Sequence, residues 1–187
     1  LVPRTSKGNV SGMAPGAPPA FAPWLGIFET LRVSAGVPLF EREHLAEWRR
    51  AAAALGLPLN FDPARARAKL TGASGRWRWI TTPAGTRTLL TREGPASAAA
   101  VALSISPLRV GAQNWDARFK TLSYLTHAQA LRIAVTPEVI LLNEHRQIAG
   151  AARANLFWRR GPRLFTPAHE AGCRCGVIRG FVLARRE

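Results

Sequence analysis

The sequence predicts an α+β fold in two lobes. Three observations carry that prediction. Strand-like and helix-like segments mix without strict strand–helix–strand alternation, residues 76–93 have the period of two of a half-buried hairpin, and the Gly/Pro/Ala-rich stretch 93–100 separates two runs of such elements. A chain of 187 residues, 47% of them hydrophobic, is long enough for one sizeable domain or two small lobes sharing a core.

In chain order, residues 1–23 (LVPRTSKGNVSGMAPGAPPAFAP) have no apolar period and are expected to be a flexible leader. LVPR resembles a protease-cleavage linker and Met13 is a candidate natural start, so residues 1–12 are expected to be an expression remnant. The first lobe is expected over 24–108. It contains a strand at 26–33 (GIFETLRV), a turn at 36–38 and a helix at 43–57 that Gly56 and Pro58 close. A short helix from Ala64 to Leu70 follows, with Asp62 as cap and Pro63 at its first position. In the hairpin 76–93, turning at Pro83-Ala84-Gly85, alternation puts Arg76 and Arg78 on one face and Trp77 and Trp79 on the other.

After the connection 93–100 comes a strand at 101–110, broken by Pro107. The second lobe is expected over 109–187. Its elements are a helix starting near Lys120, a buried strand at 138–143 (EVILLN), two strands around 155–167 with a turn at Arg160-Gly161-Pro162, and a final glycine-led helix from Gly176.

Composition narrows the function classes. No uninterrupted apolar stretch approaches the roughly 20 residues of a membrane span, so no membrane partner and a cytoplasmic location are expected. Cys173 and Cys175 form a C-x-C without a second pair, which reads as two reduced thiols and no metal. The formal net charge of +15 invites a nucleic-acid reading. Arginines interleaved with tryptophans could bind a single strand, yet a stacking platform needs aromatics on the basic face itself. The half-buried strand is therefore preferred, and nucleic acid is not the expected partner.

Lys120 is the candidate catalytic residue. Lysine occurs only at 7, 69 and 120 among 26 basic residues, and an amine can lose its proton and form an imine with an aldehyde, which guanidinium cannot. A helix starting near 120 would place Lys120, Tyr124 and His127 at i, i+4 and i+7 on one face. At the other end, Gly176-Val177-Ile178-Arg179 would present free backbone N–H groups suited to a phosphate ester.

Taken in order, GIFETLRV, PLFEREHLAEWRRAAAALGLP, FKTLSYL, ARANLFW with LFTP, and GVIR resemble the class IV aminotransferases, the fold-type IV enzymes that use pyridoxal 5'-phosphate. The NLFW segment is closest to aminodeoxychorismate lyases and D-amino-acid aminotransferases. The resemblance implies a two-lobed fold-type IV architecture and, since family members continue past the GVIR helix, a second lobe lacking the usual C-terminal strands. It implies that Lys120 holds the cofactor as an internal aldimine and moves the α-proton of an amino-acid-like substrate. Tyr124, Asn155 and the N–H groups of Val177 and Ile178 would hold the cofactor, Arg78 would grip a substrate carboxylate, and the enzyme would be a homodimer.

Three positions depart from the family pattern. Gly150 stands where a glutamate normally keeps the pyridine nitrogen protonated. Glu47 stands where an arginine normally binds the phosphate, and Arg50, one turn on, is expected to substitute for it. Ile178 replaces a frequent threonine. The expected function is thus a pyridoxal-phosphate-dependent aminotransferase or an aminodeoxychorismate-lyase-like enzyme. The alternative is a catalytically degenerate member of the family, and a third reading, from a different class, is a basic nucleic-acid-binding module.

Overall fold

The computed structural model of the protein describes residues 25–92, 100–114 and 118–185. The expected leader, Met13, Trp24 and most of the 93–100 connection lie outside the described residues.

Four antiparallel strands make the first sheet: β1 (Ile27–Ser34), β2 (Val37–Pro38), β3 (Gly75–Thr82) and β4 (Gly85–Thr91), in the order β2-β1-β3-β4. The period-two pattern decides its two faces. Ile27, Leu31 and Val33 of β1 and Trp77 and Trp79 of β3 are fully buried, and their register pairs Leu31 with Trp77. Phe28 and Thr30 of β1, with Arg76 and Arg78 of β3, take the opposite face, as the sequence predicted for the arginines.

Helix α1 (Glu41–Ala54) covers the tryptophan face, burying Trp48, Ala51 and Ala52. Its Trp48 Nε1–H donates to Thr81 Oγ1 at 2.7 Å, so the indole enters the core with its polar atom satisfied. It begins two residues before the expected start at 43 and stops at Ala54, where Gly56 (φ +63) turns the chain. Asp62 caps α2 (Pro63–Arg67) through the N–H groups of Ala64 and Arg65, and the expected helix then tightens into a 3-10 turn at Ala68–Leu70.

The second sheet contains β5 (Leu103–Val110), β6 (Glu138–Asn143) and β7 (Ile148–Ala151) in that order, with β5 and β6 parallel and β6 and β7 antiparallel. Pro107 does not break β5. The pairing skips from Ile105–Ile140 to Arg109–Leu142, and the resulting bulge accommodates a residue with no N–H to give. Residue 108, the expected boundary between lobes, lies within this strand. Helix α3 (Leu125–Ile133) packs on the sheet around Ala130, Val139, Leu141 and Ala152. The hairpin β8 (Trp158–Arg160) and β9 (Arg163–Phe165), turning at Gly161, and helix α4 (Val177–Leu183) complete the described chain.

One expected element is corrected. No helix starts at Lys120: α3 begins five residues later, at Leu125 with Tyr124 as its N-cap. The intervening segment is held extended against β1 instead. Phe28 N–H donates to Lys120 O at 2.8 Å, Leu122 N–H donates to Gly26 O at 2.8 Å, and Ile27 forms a bridge with Thr121. Among the described residues, no helix is long and apolar enough to cross a membrane.

Candidate active site

The extended segment aims Lys120. Successive side chains of an extended chain point to opposite sides, so Phe119 enters the tryptophan core while Lys120 and Leu122 join the other face of the first sheet. There the Lys120 Nζ lies 4.8 Å from the centre of the Phe28 ring, and the same ring meets Tyr124 edge-on at 5.8 Å. Burial pushes the Lys120 pKa down to about 8, against the pull of Glu29, and the charges of Arg174 and Arg78 push the same way as burial.

The walls of the cleft are cationic. Arg76 and Arg78 line it from β3, and Arg153 and Arg174 line it from the second sheet's side. The Arg78 guanidinium sits 5.3 Å from the Phe28 ring centre. Glu138 also lines the cleft, but its carboxylate is engaged: Oε1 accepts from the N–H groups of Val139 (3.0 Å) and Ala152 (3.1 Å), and Oε2 accepts from Arg153 Nε at 3.3 Å. The Tyr124 hydroxyl donates to Ala152 O, and burial raises its pKa.

From Lys120 the cleft continues into a cavity of about 520 Å³ lined by Asn155, Gly176, Val177 and Ile178. The leading N–H groups of α4 have no acceptor within the helix. A Cβ on Gly176 would lie 3.0 Å from Asn155 Oδ1, so glycine lets the chain pass close to that side chain. Thr30 lines both parts of the cleft, and its Oγ1 is buried with no hydrogen-bond partner among the described residues. These features fit a phosphorylated aldehyde: a partly deprotonated amine, cationic walls, exposed N–H groups and an unsatisfied hydroxyl.

One expected contributor, Arg50, and one position that departs from the family pattern, Gly150, stand away from Lys120. Arg50 grips Glu47 with both Nη2 (2.5 Å) and Nε (3.0 Å), reaches Arg118 O and lies 4.8 Å over the Phe119 ring. These partners hold Arg50 off the cleft, whereas Glu47 lines it. Gly150 does not line the Lys120 cleft but borders a second, smaller cavity. Tyr124 and His127 stack at 4.3 Å, and without a helix at 120 it is the β1 pairing that brings Lys120 near Tyr124.

Sequence reasoning missed Arg174, Arg153, Thr30 and the buried pair of Glu29 and His44, whose Oε2 and Nδ1 are 2.7 Å apart in the same cleft. Arg174 had a signal: it lies in AGCRCG, two residues before the glycine that leads α4. Of the flanking thiols, Cys175 Sγ is 3.3 Å from His169 Nδ1, and burial raises the Cys173 pKa. Among the described residues, no group of three or more His, Cys, Asp or Glu side chains could hold a metal ion.

The sequence profile described as amino-transferase class IV matches residues 26–186. A candidate amino-acid aminotransferase from Mesorhizobium loti is 25% identical, with a TM-score of 0.77 over 86% of this chain and 83% of that one. A 4-amino-4-deoxychorismate lyase from Pseudomonas aeruginosa is 23% identical, with a TM-score of 0.72 over 94% and 73% of the two chains. An aminotransferase from Brucella abortus, bound to the cofactor PLP, is 20% identical, with a TM-score of 0.73 over 95% and 72%. The latter two likenesses speak to the fold alone. No curated protein matches the chain.

Proposed function

Because the chain belongs to the class IV aminotransferase family, we propose that it is a pyridoxal-phosphate-dependent aminotransferase or an aminodeoxychorismate-lyase-like enzyme acting on a small amino-acid-like substrate. The observation that carries this reading is Lys120, an amine buried against Phe28 in a cationic cleft with its pKa lowered to about 8. Such an amine is partly neutral near pH 7 and can both attack an aldehyde carbon and accept a proton. The cofactor, when bound, would supply an electron sink for charge developing at the substrate Cα.

The roles of the other residues follow from where they stand. Val177 and Ile178 N–H groups and Asn155 would receive the phosphate end and the ring edge, with Thr30 Oγ1 as a further partner. Tyr124, whose hydroxyl proton goes to Ala152 O, would offer its oxygen as an acceptor at the ring edge. Arg78, with Arg76 beside it on β3, would take the substrate carboxylate. Arg50, committed to Glu47, is left out of the cofactor set. A homodimer and a cytoplasmic location are part of the same proposal.

An absorbance scan tests it. Added pyridoxal phosphate is expected to give wild-type protein a yellow colour that Lys120→Ala abolishes. Protein that stays colourless in excess cofactor would overturn the reading. Colour without turnover of any amino donor would instead favour the degenerate reading, which Glu47 in the cleft and Gly150 outside it support.

A further inference from the structure

Arg174 lines the Lys120 cleft and also an adjoining cavity of about 90 Å³ that Lys120 does not line. We propose that this second cavity is a binding site for a small carboxylate, held by Arg109 and Arg174 beside Gly150.

The chemistry of its lining favours an anion. The described lining residues include both arginines and the amides of Asn114 and Asn155, but no aspartate or glutamate. Tyr124 and His127, stacked at an interplanar angle of 11°, both line it. Leu141, Ala149 and Ala151 contribute apolar groups suited to a carboxylate's hydrocarbon end. A Cβ built on Gly150 would meet nothing within 4 Å, so the glycine leaves open the volume beside it. The space exceeds what one water needs, and the positive charge of the exposed Arg109 and the half-buried Arg174 at its lining favours an anion. Amide donors, an apolar floor and limited volume select a small planar carboxylate over a bulky phosphate ester.

The binding stands on this cavity, while its role rests on the proposed function. A carboxylate here would stand beside Gly150, where the family resemblance implies the acid that keeps the cofactor ring protonated. A carboxylate taken from solution would then replace the side chain this sequence lacks.

The test uses the cofactor-free full chain and ¹³C-labelled acetate at constant ionic strength, with binding read by NMR line broadening and acetamide as the neutral control. Saturable binding of acetate but not acetamide is expected. Arg109→Gln should weaken it about tenfold, the loss of a charged hydrogen bond, and Arg109→Lys should weaken it less. Thr126→Glu, which introduces a carboxylate at the cavity wall, should block acetate and serves as a second variant if Arg109→Gln fails to give a wild-type circular dichroism spectrum. Absence of saturable binding, equal binding of acetamide, or acetate affinity unchanged in both variants would overturn the site. Acetate binding without any coloured cofactor adduct would retire the proposed function and leave the site standing. A coloured adduct without acetate binding would retire the site alone.

Discussion

The amine of Lys120 owes its acidity first to burial and then to Arg174 and Arg78, with Glu29 opposing. With a pKa of about 8, about a tenth of it is neutral at pH 7, against less than about one part in a thousand for a solvated lysine. Acylation of Lys120 by acetic anhydride, followed by mass spectrometry across pH, should therefore reach half its plateau rate near pH 8. Arg174→Gln removes a repelling charge and should move that midpoint up, whereas Glu29→Gln removes an attracting one and should move it down. The same depression has a stability consequence. In the unfolded chain the group titrates near its ordinary value of 10.5, so its favourable contribution is present above that pH and lost as pH falls through about 8. Lys120→Met should raise stability at pH 7, by up to about 3 kcal/mol, since each tenfold loss of proton affinity on folding costs about 1.4 kcal/mol. Matched denaturant melts at pH 7 and pH 10.5 should show the gain shrinking at the higher pH.

Glu47 and Gly150 behave differently under repair. Glu47→Gln removes a negative charge from the cleft and leaves Arg50 one acceptor oxygen where it had two, so cofactor affinity should tighten several-fold in a fluorescence titration. Unchanged affinity would show that Glu47 lies too far from the bound phosphate to matter. Gly150→Glu meets no steric obstacle, but Gly150 has φ +156, a conformation side chains resist. That substitution should cost about 1–3 kcal/mol of stability, whatever it adds to the cofactor.

At the scale of elements, β3 divides two jobs along one strand. Its tryptophans build the core while its arginines, one residue out of phase, face Lys120. A one-residue slip would exchange the two, and the register is guarded where Gly75 (φ +151) approaches β4: a Cβ there would lie 2.2 Å from Thr91 O. Gly75→Ala should therefore unpair the strand end and lower the thermal midpoint by several degrees, with tryptophan emission shifting red as Trp77 loses its packing. This hairpin was legible because a period of two survives in side chains as distinct as Arg and Trp. The start of α2 and the strand Glu138–Asn143 were legible for similar local reasons, a proline with an aspartate cap and a continuous apolar run. The extended path of Lys120 was not. Its residues fit a helical period, and hydrogen bonds to Gly26 and Phe28, far earlier in the chain, hold them otherwise. Strand β7, IAGA, has too little side chain to announce a period. Arg174 was passed over because the flanking cysteines read as reduced thiols without a metal, while its meaning depends on distant segments meeting at the cleft.

At the scale of the whole molecule, the net charge of +15 acquires a location. Trp77 and Trp79 are 1% and 0% exposed, so these two tryptophans give the arginine face no stacking platform for single-stranded nucleic acid. Its aromatic neighbours include Phe28, already covered by Lys120 and Arg78, and Tyr124, which meets Phe28 edge-on. Arg76, Arg78, Arg153 and Arg174 instead converge around Lys120, where the carboxylate among them, Glu138, is engaged by Arg153, while Glu29 and Glu47 line the adjoining part of the cleft. A concave cationic surface raises the encounter rate of a small anion, and salt screens that attraction beyond roughly 10 Å at 0.1 M. The rate of colour development with pyridoxal phosphate in a stopped-flow instrument should thus fall several-fold as sodium chloride rises from about 0.02 to about 0.5 M. Pyridoxal, which has the same aldehyde without the phosphate, should react at a rate nearly independent of salt. Equal salt sensitivity of the two would mean that salt acts on the Lys120 amine, and the arginines would then have no part in drawing the phosphate in.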